Sequence, residues 1–142
     1  MTGVAAELPM FADHIVGFGP PPESRPHLLG GRCAACDRWF FPVAERCTGC
    51  YGPLEVVNLG AHGTVYSCTL VRTKPPLGLP RPYAVAWVDL AGPPLRIFML
   101  VDPSLATSVA IGQSVELGVG PVGVDRHGAA CRRPYFTPVG PR

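Results

Sequence analysis

The chain has 142 residues, enough for one domain or for a small domain with an appended module, and too few for a large enzyme. Hydrophobic residues make up 47% of it and charged residues 15%, with 18 prolines and 17 glycines spread along the sequence, which is typical of a loop-rich β protein. The formal net charge of +2 argues against strong electrostatic attraction to nucleic acid or to an anionic membrane.

The first segment, residues 1–26, is predicted to be an arm that contains one short helix. The helix candidate is Met10–Phe18, in which Phe11 and Ile15 lie at helical spacing with Phe18, and three consecutive prolines follow it. The arm either docks on a partner or packs on the chain's own ribbon. It has neither a basic start nor an apolar run long enough for a signal peptide or a membrane span, so we expect a cytoplasmic protein.

Residues 27–53 are predicted to form a zinc ribbon. Two Cys-x-x-Cys pairs, Cys33 with Cys36 and Cys47 with Cys50, are separated by ten residues, enough for a strand to leave and return. Each tight turn carries two thiolates, so the two turns can supply four tetrahedral ligands. Four cysteines leave no open coordination position, which predicts one structural zinc ion per chain. The alternatives are a rubredoxin-like iron site and a disulfide pairing.

Residues 54–142 alternate between strand candidates and turns, which predicts a small closed barrel. The second and third candidates are apolar on both faces, so we expect another protein to cover the outside of the barrel. A short helix is predicted to begin at Asp102 and to end at Gly112, and the glycine-rich run 118–123 is predicted to be a hairpin turn. The strand candidates are residues 64–73, 83–90, 95–101, 114–119 and 131–137.

Catalytic groups are not evident in the sequence. We find no nucleophile elbow, phosphate-binding glycine loop or paired-carboxylate motif. Cys68 and Cys131 lie among apolar neighbours and are predicted to be buried, unreactive thiols. The histidines lack the spacing of metal ligands and are spread along the chain: His14, His27, His62 and His127. We therefore predict that the chain has no catalytic activity by itself.

The order of these elements resembles that of the zinc-ribbon and OB-fold acyl-CoA-associated family, long catalogued as a domain of unknown function. The resemblance implies a mainly β protein with an N-terminal helical arm, a rubredoxin-like zinc ribbon and then a five-stranded OB-fold barrel. The matching segments cover nearly the whole chain: residues 33–36, 39–42, 47–50, 60–67, 82–86, 111–115 and 134–136.

The same resemblance implies a function. Members of this family act as non-catalytic accessory subunits of thiolase-like enzymes, and in some relatives of hydratases or aldolases, where they assist acyl-CoA binding and hold the complex together. Some relatives serve the degradation of aromatic compounds or steroids. The chain is similar to the small accessory subunit of thiolase complexes such as benzoylsuccinyl-CoA thiolase. The expected partners are therefore a thiolase-like catalytic subunit, in a hetero-oligomer, and acyl-CoA.

Three cations are candidates for contact with coenzyme A. Arg72, Lys74 and Arg81 flank a stiff, proline-rich loop between the first two barrel strands. Guanidinium and ammonium groups in such a place can meet the phosphates of the coenzyme. The alternative is that these residues are solvated charges on a turn, which many protein surfaces carry.

Two further functional classes compete with the accessory subunit. OB barrels elsewhere bind single-stranded nucleic acid, but here the charge is nearly balanced, and the aromatic residues Trp87, Phe98 and Phe136 sit in apolar runs rather than in a basic groove. The remaining class is a monomeric acyl-CoA-binding module that acts without a partner. Gel filtration beside a catalytic partner distinguishes this class from the accessory subunit.

Overall fold

The computed structural model describes residues 8–139, and all structural statements below concern that part of the chain. It is mainly β. The strands, numbered in chain order, are β1 (Val16–Phe18), β2 (Pro26–Cys33), β3 (Arg38–Phe40), β4 (Glu55–Gly60), β5 (His62–Val71), β6 (Tyr83–Leu90), β7 (Arg96–Leu100), β8 (Ser114–Val124) and β9 (Ala130–Pro138). A three-residue 3-10 helix, Pro103–Leu105, lies between β7 and β8.

The first four strands form the ribbon sheet, which is organised around β2. Strand β2 pairs antiparallel with β1, with β3 and with β4. Its N-terminal half joins the barrel core through Leu28, which is fully buried, while its C-terminal end carries Cys33. Because one continuous strand links the core to the cysteine cluster, the cluster is anchored on the barrel rather than on a free loop.

The last five strands form the barrel sheet, in the order β7-β6-β5-β8-β9, with antiparallel neighbours. Val101, the residue after edge strand β7, forms one parallel bridge with Phe136 of the other edge strand, β9, so the sheet closes only partly. This is the strand order and the partial closure of an OB fold. Alternate residues of β6, such as Ala84, Ala86 and Val88, point into a core that also contains the ribbon residue Leu59.

The helix predicted for Met10–Phe18 is absent, and this prediction is wrong. Met10 forms a parallel bridge with Arg132 of β9, His14 has a left-handed backbone conformation (φ 65°), and the last three residues of the segment are β1. A helix of this length is marginal in water without tertiary packing, whereas both ends of the segment find strand partners. Pairing with β2 and β9 therefore overrides the helical spacing of the apolar side chains.

The glycine-rich run 118–123 lies within strand β8 and is not the hairpin turn that the sequence predicted. The ring of Tyr135 lies across two of its glycines: a Cβ at Gly118 would be 2.9 Å from Tyr135 Cε1, and a Cβ at Gly120 would be 2.8 Å from the hydroxyl. The glycines thus make room for a cross-strand aromatic ring. The hairpin turn follows at Asp125, whose Oδ1 accepts the backbone N–H of His127 and Ala129.

The helix predicted between Asp102 and Gly112 is reduced to the 3-10 turn. The Asp102 side chain caps it, since its Oδ1 accepts the backbone N–H of Ser104 at 3.0 Å. Gly112 adopts a left-handed conformation (φ 87°), but it lies beyond the helical turn. No helix among residues 8–139 has the length and hydropathy needed to cross a membrane.

Candidate metal centre and exposed aromatic face

The first cysteine turn begins where β2 ends. Cys33 Sγ accepts the backbone N–H of Cys36 at 3.4 Å, and the carbonyl of Cys33 accepts the N–H of Asp37 at 2.8 Å. Asp37 has a left-handed conformation (φ 54°) and its carboxylate binds Arg32 at 2.8 Å. These bonds close a tight turn that aims the sulfurs of Cys33 and Cys36 to the same side.

The second cysteine turn repeats this geometry. Cys47 Sγ accepts the N–H of Gly49 at 3.3 Å, and Cys50 Sγ accepts the N–H of Gly52 at 3.3 Å. Tyr51, like Asp37, follows the second cysteine of its pair in a left-handed conformation (φ 63°). Backbone N–H groups that point at sulfur favour the thiolate form, which is the form that binds metal.

The four sulfur atoms come together and fit a tetrahedral metal ion. All lie within 4.8 Å of one another, and those of Cys33 and Cys50 are 3.5 Å apart. Tetrahedral zinc with Zn–S bonds of about 2.3 Å places its sulfurs about 3.8 Å apart. A disulfide needs about 2.05 Å, and all six cysteines are free thiols. The predicted ligands Cys33, Cys36, Cys47 and Cys50 thus form one cluster in the structure.

The electrostatics of the cluster favour exchange of protons for a cation. The backbone N–H of Cys50, assisted by that of Gly49, lowers the pKa of Cys47 to about 6. The hydrogen bond that the Cys36 thiol donates to the Cys50 sulfur raises the pKa of Cys36 to about 12. The Cys47 sulfur is therefore ready as a thiolate whereas the Cys36 sulfur keeps its proton, and a divalent cation that binds the four sulfurs displaces that proton.

The candidate CoA-binding cations lie on the loop between β5 and β6, and all three are exposed. Arg81 Nε donates to the carbonyl oxygen of Arg72 at 2.9 Å, so two of the three cations sit on the same side of the loop base. The loop tip is fixed to the β8–β9 hairpin, because the carbonyl of Leu77 accepts the N–H of Val124 at 2.8 Å. Lys74 has no hydrogen bond or ion pair with the residues that the structure describes.

The outside of the barrel carries exposed aromatic side chains, two of them in the strands that the sequence predicted to be apolar on both faces. We define the aromatic face as Tyr66, Trp87 and Phe98, which are 52%, 45% and 53% exposed. The rings of Trp87 and Phe98 pack together with centroids 5.2 Å apart. Phe136, in contrast, is buried. Trp87 and Phe98 are therefore accessible for stacking although they lie in apolar runs, whereas Phe136 is not.

A cation completes the aromatic face. The Arg96 guanidinium lies 3.3 Å above the centre of the Tyr66 ring, and its Nε bonds to the carboxylate of Asp89 at 2.6 Å. This hydrogen bond lowers the pKa of Asp89. In β6 and β7, exposed Trp87 and Phe98 alternate with buried neighbours, as the period of two in a strand requires. The sequence does not reveal this alternation, because the residues on both faces of these strands are apolar.

The remaining candidate residues do not assemble into a catalytic group. His62 Nε2 lies 3.6 Å from Glu116 on the surface, and His127 lies in the β8–β9 turn. Cys131 is fully buried, as predicted, whereas Cys68 is only partly buried. No second cluster of metal-binding side chains occurs among residues 8–139.

Comparison with known proteins assigns both parts of the chain. Residues 22–56 match the rubredoxin-like zinc ribbon domain of ChsH2, and residues 56–119 match the C-terminal OB-fold domain of ChsH2. Together these matches span well over half of the chain. A chain in the solved structure described as "Ltp2-ChsH2(DUF35) aldolase" is similar, with 26% identity, a TM-score of 0.61, and coverage of 79% of this chain and 84% of that one. The chain therefore belongs to the ChsH2 family, in which a rubredoxin-like zinc ribbon precedes an OB-fold domain.

Proposed function

We propose that this chain is the non-catalytic accessory subunit of an acyl-CoA-processing enzyme complex, and that its catalytic partner covers the aromatic face. The exposure of Tyr66, Trp87 and Phe98 on one side of the barrel carries this proposal. Tyrosine, tryptophan and arginine are the residues enriched at the energetic centres of protein interfaces. Arg96 adds the arginine, already held in position by Asp89.

The comparisons support one class of partner. The similar solved structure is described as an aldolase that contains a ChsH2-type chain, which favours an aldolase-type partner over the thiolase and hydratase types. Acyl-CoA is then a ligand shared between the two subunits.

Zinc has a structural function in this proposal. Four thiolates from Cys33, Cys36, Cys47 and Cys50 would hold the ion and leave no position open for substrate. The ion would fix β3 and the two cysteine turns, which are short and have little core of their own, against the longer strand β2. The rubredoxin-like iron site remains the alternative metal, and elemental analysis distinguishes the two.

The loop between β5 and β6 is the proposed contact with the phosphates of acyl-CoA, and Lys74 provides the cleanest test. In the reconstituted complex, Lys74→Gln is expected to raise KM for acyl-CoA about threefold, the effect of one exposed ion pair, without changing kcat. The reason is that the contact between Lys74 and a phosphate would stabilise the ground state and the transition state equally. Arg81 is less suitable, because its Nε also bonds the loop backbone.

Arg25→Gln is the matched control for this experiment, since Arg25 is an exposed cation in the turn before β2. It should leave KM unchanged, and the isolated chain should show no turnover with any acyl-CoA. An unchanged KM in the Lys74 variant would mean that the loop cations are solvated and do not contact acyl-CoA. Turnover by the pure, partner-free chain would refute the accessory function itself.

Single-stranded nucleic acid is the second candidate partner, and the exposed rings of Trp87 and Phe98 favour it because bases stack on such rings. The charge distribution of the chain argues against nucleic-acid binding. Arg96, the cation closest to these rings, is neutralised by Asp89, and the net charge of the chain is only +2. Nucleic-acid binding also needs a basic track for the phosphates, so we rank it below the protein partner.

A further inference from the structure

Arg133 of β9 is a buried cation with no acidic partner. Arg133 is only 8% exposed. Its Nη1 donates to the carbonyl of Val122 at 2.9 Å and contacts Cys131 Sγ at 3.3 Å. No carboxylate of residues 8–139 lies within 4.0 Å of it. A buried guanidinium without a counter-ion is costly, since buried charges are ordinarily paired.

The free side of Arg133 faces a cavity of about 500 Å3, a volume in the range of small-molecule sites. Nε and Nη2 make no hydrogen bond to described residues, yet no side-chain nitrogen there is both buried and unsatisfied. These two nitrogens therefore retain accessible surface, and Arg133 lines both this cavity and the groove beside it. The other walls come from the N-terminal segment, the β5–β6 loop and the β8–β9 turn: Phe11, Asp13, Leu77, Asp125, Arg126 and His127.

An apolar groove of about 250 Å3 adjoins this cavity and shares Phe11 and Arg133 with it. The Phe11 ring lies over the guanidinium, with 5.1 Å between the centroid and Arg133 Cζ. The remaining lining residues are all apolar: Ile15, Phe41, Phe98, Met99, Leu100 and Pro134. A cation thus stands at the junction between a polar chamber and an apolar one.

We propose that this junction binds an organic monocarboxylate, with its carboxylate on the Nε and Nη2 edge of Arg133 and its apolar body in the groove. The guanidinium edge offers two parallel donors, which match a carboxylate. A single buried positive charge compensates a monoanion. Every residue of the site belongs to this chain, but the groove shares Phe98 with the aromatic face, so the site is tested in the chain without its catalytic partner.

Asp125 at the rim selects against ligands of higher charge. Its Oδ1 accepts the N–H groups of Ala129 and His127, and these bonds lower its pKa, so it stays ionised near neutral pH. A phosphate dianion carries one more negative charge than a monocarboxylate, so the Asp125 carboxylate repels it more strongly. We therefore expect an aryl or alkyl carboxylate to bind better than the corresponding phosphate.

Calorimetric titration of the zinc-loaded full chain with three probes of similar size tests the site without any variant. Benzoate is expected to bind at least about tenfold more tightly than neutral benzyl alcohol, because only benzoate pairs with Arg133. Phenyl phosphate is expected to bind more weakly than benzoate. Equal affinities for benzoate and benzyl alcohol, or tighter binding of phenyl phosphate, would overturn the assignment.

Single substitutions then test how much individual residues contribute to benzoate affinity. Arg133→Lys keeps the charge but loses the paired donors, and should weaken benzoate binding about tenfold. Asp125→Asn keeps the acceptor that closes the turn and removes the rim charge, so benzoate should bind about threefold more tightly. Arg25→Gln, an exposed cation before β2 that lines neither the cavity nor the groove, is the matched control and should change affinity by less than about threefold. Weaker binding of benzoate in the Asp125 variant would contradict the repulsion assigned to Asp125 and with it the monocarboxylate site.

Discussion

Replacement of Cys47 by serine is expected to release the bound metal and to unfold the cysteine turns together with β3. Cys47 is fully buried, and its sulfur receives a backbone N–H. Structural zinc contributes about 10–16 kcal/mol to the folding of small zinc modules, and a serine hydroxyl is a poor substitute for a thiolate. Elemental analysis should give one zinc per wild-type chain and far less in Cys47→Ser.

Hydrogen exchange followed by mass spectrometry shows where the structure is lost. Chelation or Cys47→Ser should remove protection from residues 33–52, whereas the barrel strands β6 and β9, which pack on the main core, should stay protected. Cys68→Ser is the matched control, since Cys68 lies in β5 and outside the cluster, and it should retain the metal. A metal-free wild-type chain with a fully protected ribbon would contradict the metal assignment, and bound iron would change the metal.

The double substitution Trp87→Thr and Phe98→Thr is expected to abolish binding of the catalytic partner. Each ring is about half exposed in the chain, and a well-packed interface aromatic contributes about 2 kcal/mol or more, so the pair should weaken Kd at least about a hundredfold. Threonine keeps the strand propensity of both positions. The fold should survive with a modest loss of stability, chiefly from the lost contact between the two rings.

Ile111→Thr is the matched control for the aromatic face, because Ile111 is 70% exposed and lies outside it. Surface plasmon resonance with the purified catalytic subunit measures both variants, and circular dichroism checks their folding. Wild-type affinity in a folded double variant would show that the partner binds elsewhere on the chain. An equal loss in the Ile111 variant would mean that general surface hydrophobicity, and not this face, drives association.

The strands and the metal cluster could be predicted from the sequence, because local residue patterns encode both. The two Cys-x-x-Cys pairs fix the turn geometry, and the intervening residues permit a short return strand, as observed for β3. Strand β6 occurs at its predicted bounds, Tyr83–Leu90. The N-terminal helix failed for the opposite reason. Its alternative, pairing of Val16–Phe18 with β2, is a long-range contact that the spacing of apolar residues within the segment does not encode.

The functional surfaces were harder to predict because they depend on burial and on juxtaposition. Trp87 and Phe98 have sequence neighbours as apolar as any core strand, and only the structure shows that one face of β6 and β7 is uncovered. Arg133 gives no sequence signal, since a single arginine in a strand is ordinarily read as exposed. Its burial beside a cavity becomes visible only when Val122, Phe11 and the β8–β9 turn are brought around it.

Affinity purification of the full chain from native extract, with chemical cross-linking and mass spectrometry, tests the central claim most directly. We predict one acyl-CoA-processing enzyme, in a fixed ratio to this chain, with cross-links that map to β5, β6 and β7 around the aromatic face. Nuclease treatment should not release it. Recovery of a thiolase or a hydratase in place of an aldolase keeps the accessory function and changes the reaction. Recovery of the chain alone, or bound only to nucleic acid, would contradict the account.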